Sequence, residues 1–289
     1  MLAVENLNVT LRNGHVEKHV LHNISFSIPK GKVVGIIGES GSGKSVLCTT
    51  IMQLFREKRT VTGNLSFNGM SLVELSEKEM RKLRGNEMAL IMQNPMAMFN
   101  PIVTIGEHFT ETIQAHRKIT KKQATAHAKE QLKRFQLFDE NILKKYPHEL
   151  SGGMLQRVMI AIAASLNPSL LLADEPTTAL DTTTQLEILK ELKQLHATTE
   201  MSMLIVSHDL GVIANLAEEI IVMRHGVIVE KGPTSHILQH PRHRYSQRLV
   251  AARDEHSQLA DLIDRFDEEI TGELMQCDPG HWVRMEGSA

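Results

Sequence analysis

The run VVGIIGESGSGKSVLCTTIMQLF, beginning at Val33, leaves the chain few folds to choose from. Its first residues are nearly all apolar, as in a parallel strand covered on both faces. Glycines then fall at 38, 41 and 43, followed by Lys44, Ser45 and a helical pattern. A strand that ends in a glycine loop and runs straight into a helix is the context that G-x-x-x-x-G-K-[ST] requires. In Gly38-Glu39-Ser40-Gly41-Ser42-Gly43-Lys44-Ser45 the glycines let the backbone wrap a phosphate with successive N–H groups turned inward. Lys44 supplies a point charge to the β- and γ-phosphates of a nucleotide, and the Ser45 hydroxyl a ligand for Mg²⁺.

The rest of the chain repeats strand and helix in alternation. LAVENLNVTL and VLHNISFSI alternate apolar with polar residues, and TGNLSFNGMSL reads as a strand pair with an Asn-Gly turn. SEKEMRKLRG is a capped helix, MALIMQ a buried strand, and TKKQATAHAKEQLKRFQLF and DENILKKYP are polar helical stretches. SLLLAD, MSMLIVSH and the hairpin EIIVMRHGVIVEKG complete an α/β pattern with a largely parallel sheet. From about residue 233 the pattern weakens into an appendix that includes the acidic run DLIDRFDEEITGE.

SLLLADEP carries the second chemical element. Asp174, closing a buried strand, is placed to hold Mg²⁺ directly or through water. Glu175 beside it is placed to polarise an attacking water as general base.

Composition excludes other classes. Aromatics make up 4% of the residues and the net charge is −2, which supplies no nucleic-acid footprint. Two cysteines, Cys48 and Cys277, cannot form a disulfide framework. The N-terminus lacks the features of a signal peptide, and no run of about 18 apolar residues occurs. A cytoplasmic protein that reaches a membrane only through partners is expected.

Six elements in order then resemble the ATP-binding subunit of an ABC transporter: GESGSGKS, Gln93 in IMQNP, LSGGMLQR, LLLADEP, Ala179-Leu180-Asp181, and His208 in IVSHD. The resemblance covers residues 1 to about 250 and implies a P-loop NTPase (RecA-like) core with an antiparallel β subdomain and an inserted α-helical subdomain. The expected division is a cassette over 1–232, with the helical subdomain at about 96–162, and a family extension over 233–289. ATP and Mg²⁺ are the implied cofactors. Gln93 resembles the glutamine that reaches Mg²⁺ and the attacking water, and His208 the switch histidine at the γ-phosphate.

In this family two subunits pack head to tail. Ser151, Gly152 and Gly153 are thus expected to serve the partner's nucleotide with N–H groups and a helix dipole, and Asp181 to make a dimer contact. Met154 departs from the family's usual glutamine. Leu11 stands where many relatives place an adenine-stacking aromatic, and His15 or His19 is the alternative platform.

The segment HPRHRYSQRLVAA is similar to one that follows the cassette in oligopeptide, dipeptide and nickel importers. Asn94-Pro95 and Phe99-Asn100-Pro101 lean toward nickel or metal-metallophore import, with di- or oligopeptide import as the alternative. The resemblance implies a second, different ATPase, two transmembrane permeases and an extracytoplasmic substrate-binding protein, at the cytoplasmic face of the membrane.

A non-transport ABC ATPase would carry a long coiled coil after Gln93, and fewer than sixty residues separate Gln93 from Ser151. A regulatory subunit that binds ATP without hydrolysing it would not need Glu175 and His208. With only Cys277 in the tail, no four-cysteine iron–sulfur cluster forms within the chain. The groups His15-His19-His22, His240-His243 and Cys277-His281 read as solvated strand and loop residues rather than metal ligands.

Overall fold

The computed structural model describes residues 1–14, 16–178, 180–255, 270 and 272–284. His15, Ala179 and the body of the acidic run lie outside the described residues. The chain forms two compact units, Met1–Glu74 with Leu204–Ala289, and Leu75–Met203.

The first unit begins with two long antiparallel strands, β1 (Leu2–Asn13) and β2 (Val16–Ile28). Next comes β3 (Val33–Ile37), buried at every position, and α1 (Lys44–Ile51) opens directly after the glycine loop. β4 (Arg59–Phe67) returns to pair with β1, and Asn68 and Gly69, both at positive φ, turn it into β5 (Met70–Ser71). These strands form the sheet β2-β1-β4-β5, whose period-2 pattern buries Val4, Leu7, Val9, Leu65 and Phe67.

The second unit begins with α2 (Glu77–Leu83), entered through a complete Ser76/Glu79 capping box. β6 (Met88–Ile91) follows, then the short α3 (Pro95–Met98), α4 (Ile105–His116) and α5 (Lys121–Arg134). Capping boxes at Thr104/Glu107 and Thr120/Gln123 start the last two, and each buries an apolar stripe: Ile105, Phe109 and Ile113, then Ala124, Ala128 and Leu132. DENILKKYP, read from sequence as helical, instead makes a 3-10 turn over Glu140–Lys144 before Pro147. The unit continues with α6 (Gly152–Ala164), β7 (Leu170–Asp174) and α7 (Thr182–Thr199). β7 lies parallel to β6, with Met88 opposite Leu170 and Ile91 opposite Ala173.

The strand β8 (Ser202–Ser207), wholly buried, leads the chain back to the first unit. There follow α8 (Leu210–Leu216), β9 (Glu219–Arg224), β10 (Val227–Pro233), α9 (Thr234–Gln239), α10 (Arg244–Glu255), β11 (Leu274–Asp278) and β12 (His281–Arg284). β3 lies parallel to β9, as a crossover connection demands, and β9 turns antiparallel into β10 through His225-Gly226. The sheet does not stop at that hairpin: β12 pairs with β10 at Glu230↔Val283 and Lys231↔Trp282, and β11 with β12.

Candidate active site

The glycine loop folds round its own lysine. Lys44 is 5% exposed, and its Nζ donates to the carbonyls of Gly38 and Glu39, each at 2.7 Å, and to Ser42 Oγ at 3.4 Å. Gly41 and Gly43 sit at φ +82° and +99°, where a Cβ is strained. Nothing lies within 4 Å of a Cβ built at Gly41, whereas one at Gly43 would stand 2.6 Å from Leu21. The loop is therefore backed by β2 on one side and open at Gly41. A nearly buried ammonium inside a ring of backbone suits an anion with the charge and size of a phosphate. Ser42 and Gly43 are buried, whereas Ser40 and Ser45 are exposed, the latter in the first turn of α1.

In the second unit, Asp174 is 3% exposed at the end of β7, and Glu175 follows at φ +50°. That left-handed turn brings the Glu175 carboxylate to Gln93: Gln93 Nε2 donates to Glu175 Oε2 at 2.8 Å. Thr178 Oγ1 donates to the same oxygen at 2.7 Å, and the buried Gln156 holds the Pro176 carbonyl at 2.6 Å. Gln93 and Glu175, 82 positions apart in the chain, thus meet. Thr178 and Gln156 were not singled out from sequence. Gln156 lies inside LSGGMLQR and Thr178 two residues past LLLADEP, and their roles follow from the turn that presents Glu175. Ser45 in the first unit offers a hydroxyl oxygen, and Gln93 and Asp174 in the second an amide and a carboxylate oxygen, each a hard donor of the kind Mg²⁺ takes.

Ser151 is the N-cap of α6, its hydroxyl accepting the Met154 N–H at 3.3 Å. Asp181 caps α7 in the same way, accepting from Thr184 N at 3.0 Å and Thr184 Oγ1 at 2.7 Å. The Thr184 N–H, first, and its hydroxyl, second, hold the Asp181 carboxyl below its ordinary range. A Cβ at Gly153 would stand 2.7 Å from Thr184, so the two helix starts lie side by side.

Arg157 of α6 reaches Glu187 and Glu191 of α7, the latter at 3.0 Å. Burial pushes the Glu191 carboxyl up to about 7 against the opposing pull of Arg157. Unfolded, it titrates near the ordinary 4.5, so between those values the folded chain holds more protons than the unfolded one. Its stabilising contribution is complete below pH 4.5 and is lost as pH rises through about 7. Glu191→Gln is expected to flatten that slope and to raise the unfolding midpoint at pH 8 by a few degrees, with little change at pH 5. Thermal unfolding across this range checks it; a slope like that of the unsubstituted chain would count against the assignment.

His208 is exposed just after β8, where Asp209 caps α8. Leu11 is half-buried near the end of β1, opposite Lys18 and Arg59. His19 is paired through Nδ1 with Thr10 Oγ1 at 2.9 Å and stacks on His22 at 6.1 Å. The reading of the C-terminal groups as solvated holds for His240 and Cys277, which are exposed, and is corrected for two residues: His243 is 4% and His281 1% exposed. The cause is the fully buried Glu230 of β10, which engages the His243 N–H at 3.0 Å and His281 Nε2 at 2.7 Å. Cys277, Asp278 and His281 have ligand atoms within 4.8 Å of one another.

The ABC transporter family model matches residues 21–178. The Metal-staphylopine import system ATP-binding protein CntD of Staphylococcus aureus (strain NCTC 8325 / PS 47) is 39% identical over 275 residues, 95% of this chain and 98% of that protein. The Glutathione import ATP-binding protein GsiA of Escherichia coli (strain K12) is 41% identical over 260 residues, 87% of this chain, which spans 42% of that protein. Among solved structures, the ATP-binding cassette MJ0796, a dimer in a post-hydrolysis state with ADP and Pi, aligns at TM-score 0.73 and 30% identity over 81% of this chain and 99% of its own. CbiO1 from Clostridium perfringens, at TM-score 0.69 and 23% identity over 90% of this chain and 96% of its own, shares the fold. A glycine loop closed round a buried lysine, relatives matched along nearly the whole chain and the P-loop NTPase fold point one way: the chain belongs to the ABC transporter family, as an ATP-binding and ATP-hydrolysing subunit.

Proposed function

We propose that this ATPase powers the import of a metal-metallophore complex or nickel. The observation that carries the motor reading is the carboxylate of Glu175, set in a strained turn and held by both Gln93 and Thr178. An ATP-binding subunit without hydrolysis would have no use for that arrangement. Lys44 and the loop Gly38–Ser45 hold the phosphates, Leu11 supports the adenine, and Ser45, Gln93 and Asp174 hold Mg²⁺. Glu175 takes a proton from the attacking water, and His208 orients the γ-phosphate. Mg²⁺ held by these residues would supply charge neutralisation to the phosphates. Ser151, Gly152, Gly153 and Asp181 act on the nucleotide of a second ATPase, a different chain, in an assembly with two permeases and a substrate-binding protein.

Among the described residues no helix is long and apolar enough to cross a membrane, which fits a peripheral subunit at the cytoplasmic face. The cassette spans 1–232, with its helical subdomain at about 96–162, and 233–289 is an extension.

For the cargo, the support is the relative matched along almost its full length, whose name specifies a metal-staphylopine system. Import of a peptide-like substrate is the second reading, favoured by the glutathione importer's similar identity. In a strain lacking this chain, uptake of radioactive nickel offered with a metallophore is expected to fall to background while a labelled dipeptide enters normally. Loss of dipeptide uptake alone would establish the second reading and sink the first.

A further inference from the structure

The appendix after the cassette reaches back to the phosphate loop. Glu230 accepts the N–H groups of Arg242 at 2.8 Å and His243 at 3.0 Å, and its Oε1 meets His281 Nε2 at 2.7 Å. A carboxylate with no exposed surface thus fixes the entry to α10 and the start of β12 together. One turn on, His243 Nδ1 accepts the N–H of Tyr245 at 3.1 Å. Tyr245 is 3% exposed, with the Arg224 guanidinium 5.3 Å from its ring centroid. Its hydroxyl accepts the backbone N–H of Glu39 at 3.0 Å.

That N–H and the Gly38 carbonyl belong to one peptide unit. The carbonyl accepts Lys44 Nζ at 2.7 Å, so Tyr245 holds one side of the peptide and Lys44 the other. No described peptide is cis, and a trans unit points its N–H and C=O in opposite directions. Fixing the N–H therefore fixes where the carbonyl faces, and with it where the ammonium rests.

We propose that Tyr245 is a positioning residue for nucleotide binding, orienting the Gly38–Glu39 peptide so that Lys44 is held ready for the phosphates. This deepens the reading of residues 38–45 as the phosphate loop and rests on it. Burial, first, and the Glu39 carboxylate, second, push the phenol up from its ordinary value, so it stays neutral at any working pH. Tyr245 is buried and acts through the loop.

Tyr245→Phe keeps the ring and its contact with Arg224 and removes only the hydroxyl. With a fluorescent ATP analogue titrated into the purified chain, Kd is expected to weaken about tenfold, the scale of one lost hydrogen bond at a part-buried N–H. In the assembled complex KM for ATP rises in parallel, while kcat at saturating ATP stays within about twofold. Lys44→Ala in the same titration must lose binding. If it does and Tyr245→Phe binds normally, Tyr245 is a packing residue only and the proposal falls, even where the unfolding midpoint drops. If Lys44→Ala binds normally as well, the phosphate-loop reading itself has failed.

Discussion

Glu175→Gln is expected to bind ATP as the unsubstituted chain does and to hydrolyse it about 10²-fold more slowly or worse, the scale of a lost general base. The substitution is nearly isosteric, and the geometry says why binding survives. Glu175 lies in the second unit, among Gln93 and Thr178, while the loop that encloses Lys44 is built from the first. The amide retains one oxygen that can accept from Gln93 Nε2 or Thr178 Oγ1, so the turn at φ +50° keeps a partner. It cannot take a proton from water at neutral pH. Steady-state phosphate release from the assembled complex, paired with a nucleotide titration, separates the two effects. Turnover within a few-fold of normal would remove Glu175 from the mechanism and leave the turn as a packing feature.

How much of this was open to reading from the chain depends on where each partner stands in sequence. VVGII and LLLAD are short apolar runs beside Gly or ending in Asp, and their burial at every position follows from that composition. The capping boxes at Ser76, Thr104 and Thr120 are local chemistry, three residues wide, and could be read directly. The pairing of Gln93 with Glu175 needed the family resemblance, because a contact across 82 positions leaves no local signal. The contact of Tyr245 with Glu39 spans 206 positions and joins two segments that no shared motif connects. β11 and β12 escaped for another reason: they are five and four residues long, and LMQCD and HWVR carry no clean alternation. His243 and His281 do not read as buried from sequence because their burial depends on Glu230, a lone acidic residue in the apolar strand VIVEKG.

Gly152→Asp is expected to leave the fold intact and to abolish hydrolysis in the second ATPase's site, with a loss on the order of 10²-fold or more. A Cβ built at Gly152 meets nothing within 4 Å, so nothing in this chain requires glycine there. Helix propensity argues against it, by up to about 1 kcal/mol relative to alanine. Gly153 differs, since its Cβ would press on Thr184 at 2.7 Å, and packing alone accounts for it. A glycine that the fold does not need, at the exposed start of a helix whose cap is the Ser151 hydroxyl, fits a surface on which an anion from another chain must sit. An aspartate there sets a carboxylate against the γ-phosphate. The decisive comparison places Gly152→Asp and Lys44→Ala first on this chain together, then with the lysine change moved to the phosphate loop of the second ATPase. If the site is shared between chains, the first pairing damages both nucleotide sites and loses all turnover, while the second damages one site twice and retains the other. The reverse pattern would mean that each chain completes its own site, and the head-to-tail arrangement would be wrong.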